Sequence, residues 1–227
     1  MPPAHSQLGQ LAAAWLGRDA HAGAALARPI MSQVDGSAMA AATATPSHYG
    51  FHGTLKPPFH LYAGQREAEL EQALAAFCRL RPPFDISPLT VQSMGNFLAL
   101  RPVDDSPALG GLAADCVRAF DSFRAAPGQD ELARRRASGL TERQLHLLGQ
   151  WGYPYVMDQF RFHMTLTGPL SASARPVFAS ALQEYFQAVC RSPLSIDALT
   201  LVRQPNRNTP FQVLQRYPFG GDGTKSD

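Results

Sequence analysis

The sequence predicts an α+β protein made of two lobes related by a pseudo-two-fold, each an antiparallel sheet with flanking helices. Two observations lead there. A short motif occurs twice with the same order of elements behind each copy, and a helix-patterned stretch without a counterpart separates the copies. The totals agree: of 227 residues, 45% are hydrophobic and 17% charged, ordinary values for a globular chain.

Taken in order, the chain opens with a short helix that turns Leu8, Leu11, Trp15 and Leu16 inward. Residues 30–47, rich in Ser, Ala, Thr and Gly, read as a loop or extended segment. The first motif, Phe51-His52-Gly53-Thr54-Leu55-Lys56-Pro57-Pro58-Phe59, reads as a strand. Its second copy is Phe162-His163-Met164-Thr165-Leu166-Thr167-Gly168-Pro169-Leu170. Helical spacing follows each, with Leu70, Leu74 and Phe77 after the first and Phe178, Leu182, Tyr185 and Phe186 after the second. Each helix ends near a cysteine and a proline, Cys78 and Pro82, then Cys190 and Pro193. Strand-like stretches come next, 84–91 with 97–100 and 194–201 with 211–214. Between the copies, Leu109, Leu112, Cys116, Val117 and Phe120 mark one amphipathic helix. A capping box from Thr141 to Gln144 opens another, with Leu145, Leu148 and Trp151 on its face and Pro154 beyond its end. The expected organisation is therefore a single domain over 1–227. Lobe one covers about 1–101, a helical insertion about 102–160 and lobe two about 161–219, and 220–227 form a flexible tail.

Alternation along a strand puts Phe51, Gly53 and Leu55 on one face and His52, Thr54 and Lys56 on the other. In the second copy Phe162, Met164 and Leu166 oppose Arg161, His163, Thr165 and Thr167. Two such strands facing a central cleft would gather two imidazoles, hydroxyls and two cations. One imidazole can take a proton while the other delivers one, and hydroxyls and a cation can bind phosphate oxygens. His52 and His163 are therefore the expected catalytic pair, and Thr54, Thr165, Lys56 and Arg161 the expected phosphate ligands. The competing reading makes the threonines β-branched strand formers and leaves the cations solvated. Tyr153, Tyr155, Arg118 and Arg124 are candidate substrate contacts, and Arg134-Arg135-Arg136 is a solvated helix face or a phosphate clamp. The other histidines show no metal-ligand spacing, so neither a metal nor another cofactor is expected.

The paired His-x-Thr motifs resemble the two-histidine (2H) phosphoesterase superfamily. Longer phrases extend the resemblance over nearly the whole chain: Trp15-Leu16-Gly17-Arg18-Asp19, Tyr49-Gly50-Phe51-His52, Asp115-Cys116-Val117-Arg118-Ala119-Phe120-Asp121 and Trp151-Gly152-Tyr153-Pro154-Tyr155-Val156. These are similar to a branch associated with bacterial phosphonate-utilisation operons. The resemblance implies a metal-independent phosphoesterase that opens a cyclic phosphate of a ribose-type small molecule. The alternatives are a 2′,3′-cyclic phosphodiesterase acting on RNA ends and a non-catalytic nucleotide-binding module. Members of that branch begin with a strand, whereas Met1 here is followed at once by Pro2 and Pro3. Either the true start lies upstream of Met1, which is the expectation, or this lobe lacks a strand.

A net charge of +2 does not encourage nucleic-acid binding. No run of 18 apolar residues suggests a membrane span, and the first residues do not read as a signal peptide. Cys78, Cys116 and Cys190, odd in number and far apart, fit reduced core thiols in a cytoplasmic protein.

Overall fold

A computed structural model describes residues 1–137 and 139–220, leaving aside the side chains of residues 129–131 and 136. The expected tail, 220–227, lies outside the described residues beyond Gly220. The architecture is α+β, with helices and antiparallel sheets. The chain falls into two compact units: Met1–Gly53, Cys78–Asp105 and His163 onward form the first, Thr54–Phe77 and Ser106–Phe162 the second.

The first unit opens with α1 (Gln7–Leu16). Ser6 caps it by accepting the Gly9 N–H, and Gly17 ends it in the left-handed region. Leu8, Ala12, Trp15 and Leu16 are its buried face. A two-residue hairpin of β1 (Arg18–Asp19) and β2 (Ala24–Ala25) leads towards α2 (Gly36–Tyr49).

That second helix corrects the expectation of a loop over 30–47. Asp35 caps it through the N–H groups of Ser37 and Ala38, and Ala38, Ala40, Ala41, Ala42 and Ala44 are the best helix formers. Pro46 in its last turn has no N–H for the carbonyl of Ala42. That carbonyl accepts instead from the Gly168 N–H, at 2.6 Å, and so ties α2 to the second motif.

The expected strand over 84–91 is two strands, β3 (Phe84–Ile86) and β4 (Leu89–Met94), divided at Ser87 and Pro88. Antiparallel β5 (Phe97–Pro102) pairs with β4, and β6 (Met164–Thr165) with β5. The expected strand over 194–201 divides likewise into β7 (Leu194–Ile196) and β8 (Ala198–Arg203), and β8 pairs with β9 (Gln212–Pro218). Strands β3 and β7 pair with each other, with Phe84 opposite Ile196, Asp85 opposite Ser195 and Ile86 opposite Leu194. Helix α7 (Ala174–Phe186) buries Phe178, Ala181, Leu182 and Phe186. Trp15 meets Phe178 edge-on at 6.3 Å, and Phe51 stacks on Phe186 at 6.5 Å.

The first motif departs from a strand. Gly53 makes an isolated antiparallel bridge to Met164, and no ladder continues from it. Pro57 and Pro58 lack the N–H groups a ladder needs.

Most of α3 (Glu67–Arg79) lies in the second unit, with α4 (Pro107–Ala119), α5 (Gln129–Arg136) and α6 (Glu142–Trp151). Both hydrogen bonds of the capping box at Thr141 are present. The buried face of α6 is Leu147 and Leu148, with Leu145 exposed, so the face lies one step from the expected one. Val117, Leu147 and Val156 form a core cluster against Trp151, Tyr153 and Met157. No helix among the described residues is long and apolar enough to cross a membrane.

Candidate functional site

The end of α2 sets the position of His52. Gly50 takes φ +76°, and its N–H bonds back to the carbonyls of Pro46 and Ser47. A Cβ at this position would stand 2.6 Å from the Ala20 Cβ, so the sharp turn needs glycine. Arg18 secures the same turn, donating Nη1 to the carbonyls of Ser47 (3.0 Å) and His48 (3.4 Å) and Nη2 to that of Phe211. Past the turn, His52 Nδ1 donates to the Gly50 carbonyl at 2.8 Å. A carbonyl only accepts, so Nδ1 carries the proton in this hydrogen bond. Burial lowers the His52 pKa below 6.5; the charges of the Met1 amine and of His163 act the same way, against the Gly50 hydrogen bond.

The second motif is held from the sheet. Thr165 pairs with Ala99 and Met164 with Leu100, and the N–H groups of Leu166 and Thr167 both reach the Leu98 carbonyl. The buried Thr167 hydroxyl accepts the Leu98 N–H at 3.0 Å. The Trp15 indole donates to the Leu166 carbonyl at 2.8 Å from inside the core. His163 lies against Phe97, ring centroids 5.9 Å apart. Counting outward from the Gly53–Met164 bridge sets His52 opposite Thr165.

These two residues line one cleft of about 260 Å³, together with Thr45, Pro46, Tyr49, Phe97, Thr167 and the Gly168-Pro169 turn. It is smaller than most drug-sized sites and suits a ligand of metabolite size. His163 is not among its lining residues; its ring packs against Phe97. Thr167, expected on the polar face, uses its hydroxyl inside the protein.

The other candidates belong to the second unit, Thr54 among them. There Lys56 donates to the Val117 carbonyl at 3.1 Å and lies 3.6 Å from Asp121. Burial leads in lowering its pKa, with the Asp121 carboxylate opposing. Arg124 grips Asp121 through Nε at 2.7 Å and Nη2 at 3.2 Å, and Arg118 reaches Asp115 at 3.5 Å. Arg161 donates to the carbonyls of Asp158 and Phe160. Tyr153 meets Tyr155 edge-on at 5.7 Å and lies under the Arg135 guanidinium. Among the described residues no group of three or more His, Cys, Asp or Glu side chains could hold a metal ion. Sequence reasoning missed Thr45, Tyr49 and Phe97 as cleft residues. Tyr49, directly before Gly50-Phe51-His52, was the one with an available signal.

The fold and cleft define an α+β protein with a small-molecule site that carries imidazole and hydroxyl groups. The chain belongs to the family described as "Protein of unknown function (DUF1045)", whose model matches residues 54–212. It is 38% identical over 229 residues to "Ribose 1,5-bisphosphate phosphokinase PhnN" of Janthinobacterium sp. (strain Marseille), covering 99% of this chain and 51% of that protein. A protein of the same name from Laribacter hongkongensis (strain HLHK9) is 33% identical over 213 residues, covering 93% of this chain and 48% of the relative. The chain thus spans about half the length of the curated relatives it matches. Their names correct the expected activity: both are phosphokinases, which transfer a phosphoryl group, whereas a cyclic phosphodiesterase is a hydrolase. The metal-independent phosphoesterase, the RNA-end alternative and the hydrolase class fall with that finding.

Proposed function

We propose that the cleft of the first unit binds a phosphorylated ribose, and that the chain supplies sugar-phosphate recognition within a protein acting on ribose 1,5-bisphosphate. The observation that carries this is the meeting of His52 and Thr165 on one cleft. The His52 imidazole hydrogen-bonds a sugar hydroxyl or a protonated phosphate, and the Thr165 hydroxyl donates to a non-bridging oxygen. His52 is the cleft group that can hold or move a proton, and His163, packed against Phe97, is the second histidine of the proposed pair. The relatives' name and the resemblance to a phosphonate-operon branch support phosphonate utilisation as the setting.

A two-histidine site built by duplication belongs to the same proposal. Two pairings support it, since each sets a residue against its own counterpart in the other copy. Gly53 meets Met164 one step after each motif histidine, and Asp85 meets Ser195 at the centre of β3 and β7. Equivalent residues meet in this way where a local two-fold passes between antiparallel strands.

Calorimetric titration with ribose 5-phosphate, ribose 1,5-bisphosphate and unphosphorylated ribose tests the reading. Saturable binding is expected of the two phosphates and not of ribose. His52→Ala and Thr165→Val should each weaken it by roughly 10- to 100-fold, the worth of a hydrogen bond to a charged group. Equal binding of ribose, or unchanged affinity in both variants, overturns the proposal.

A further inference from the structure

We infer that Tyr49 selects the sugar: its ring is the wall of the cleft on which the ligand's carbon face packs. This rests on the phosphate-site reading above and adds to it the residue that tells a sugar phosphate from phosphate alone.

Tyr49 ends α2, lines the cleft and is 42% exposed, much for so large a ring. Phe211 supports it at 5.2 Å with planes 34° apart, and His48 meets it edge-on at 5.4 Å. Its centroid lies 6.4 Å from that of His52, so a phosphate held at His52 would carry its sugar within reach of the ring. Arg18 bonds the carbonyls of His48 and Phe211 at once, fixing the helix end that carries Tyr49 and the strand entry that backs it. A ring held this way loses little freedom when a ligand arrives, which is how a stacking surface contributes to affinity. The remaining apolar lining, Phe97, Pro46 and Pro169, suits the C–H face of a sugar and offers nothing to a bare phosphate ion.

The test compares ribose 5-phosphate with inorganic phosphate on the full chain, by calorimetry, for wild type, Tyr49→Phe and Tyr49→Ala. Tyr49→Ala should weaken ribose 5-phosphate by roughly two- to tenfold, the range of an aromatic packing contact, and leave inorganic phosphate unchanged. Tyr49→Phe keeps the ring and should stay close to wild type for both ligands. If Tyr49→Ala weakens both ligands equally or neither, the selective role is overturned while the phosphate site stands. If wild type binds neither phosphate nor ribose 5-phosphate, the site reading fails and this inference with it.

Discussion

The two copies of the motif share Phe, His, Thr and Leu, yet they reach the cleft on different backbones. His52 arrives from a helix end, through a left-handed glycine and a single bridge at Gly53. Thr165 arrives from a paired strand, with Leu98 bonding the N–H groups that follow it and Trp15 holding the Leu166 carbonyl. Like letters therefore do not ensure like backbone. What they preserve is which side chain meets the cleft, while residues outside the motif decide how it is carried. The second copy depends on core and sheet, the first on one turn and the Arg18 guanidinium.

The largest break should come at the core support of the second copy. Trp15 is fully buried, and Trp15→Ala removes both its volume and the donor to Leu166. A loss of about 3–5 kcal/mol is expected, a fall of roughly 10 °C or more in Tm by calorimetry. Next is Gly50→Ala, where the strain of φ +76° with ψ 170°, about 1–3 kcal/mol, adds to a clash with Ala20. At the end of the second motif, Gly168→Ala meets the Ala42 carbonyl at 3.4 Å without a positive φ and should cost less than about 1 kcal/mol. Equal losses at the two glycines would show that the turn is not what holds His52.

The two threonines of the second motif sharpen the contrast within one strand. Thr167→Val leaves the buried Leu98 N–H without its hydroxyl acceptor and should cost about 1–3 kcal/mol of stability. Thr165→Val, on the cleft, should leave Tm within about 1 °C and weaken ribose 5-phosphate. Denaturant unfolding with parallel titration separates them, and an exchange of the two effects would reverse their roles.

Local chemistry explains which parts were legible in the sequence. The capping box from Thr141 to Gln144 and the inward Trp15 could be read because each is a signal within a few residues. Helix α2 could not be read from apolar spacing, because alanines occupy its turns and the Ser/Thr/Gly content looked like a loop. The alternation of the first motif reads as a strand, but Pro57 and Pro58 lack the N–H groups a ladder would need. Of the site, His52 and Thr165 were legible through the repeat, whereas Tyr49 precedes the motif and Phe97 was legible only as the start of a closing strand. Lys56 looked available for phosphate because Asp121, far along the chain, gave no local hint that it would take the charge.

The smallest expected effect concerns protons, and it tests whether the two copies act on one another. An unfolded histidine titrates near 6.5, and His52 in the folded protein lies lower, chiefly through burial. Between the two values the unfolded chain binds the extra proton, so this residue's contribution to stability rises with pH. It is fully present above about 6.5 and is lost as pH falls towards the folded value. Wild-type Tm should therefore fall more steeply than that of His52→Gln below about pH 6.5, and the two slopes should agree above it. His163→Gln removes one of the charges that lower the His52 pKa, so the His52 ring proton should titrate at higher pH by NMR. The shift should be modest, because burial remains. A His52 titration unmoved by His163→Gln would mean that the two imidazoles do not share a field, and the paired site would reduce to the single histidine lining the cleft.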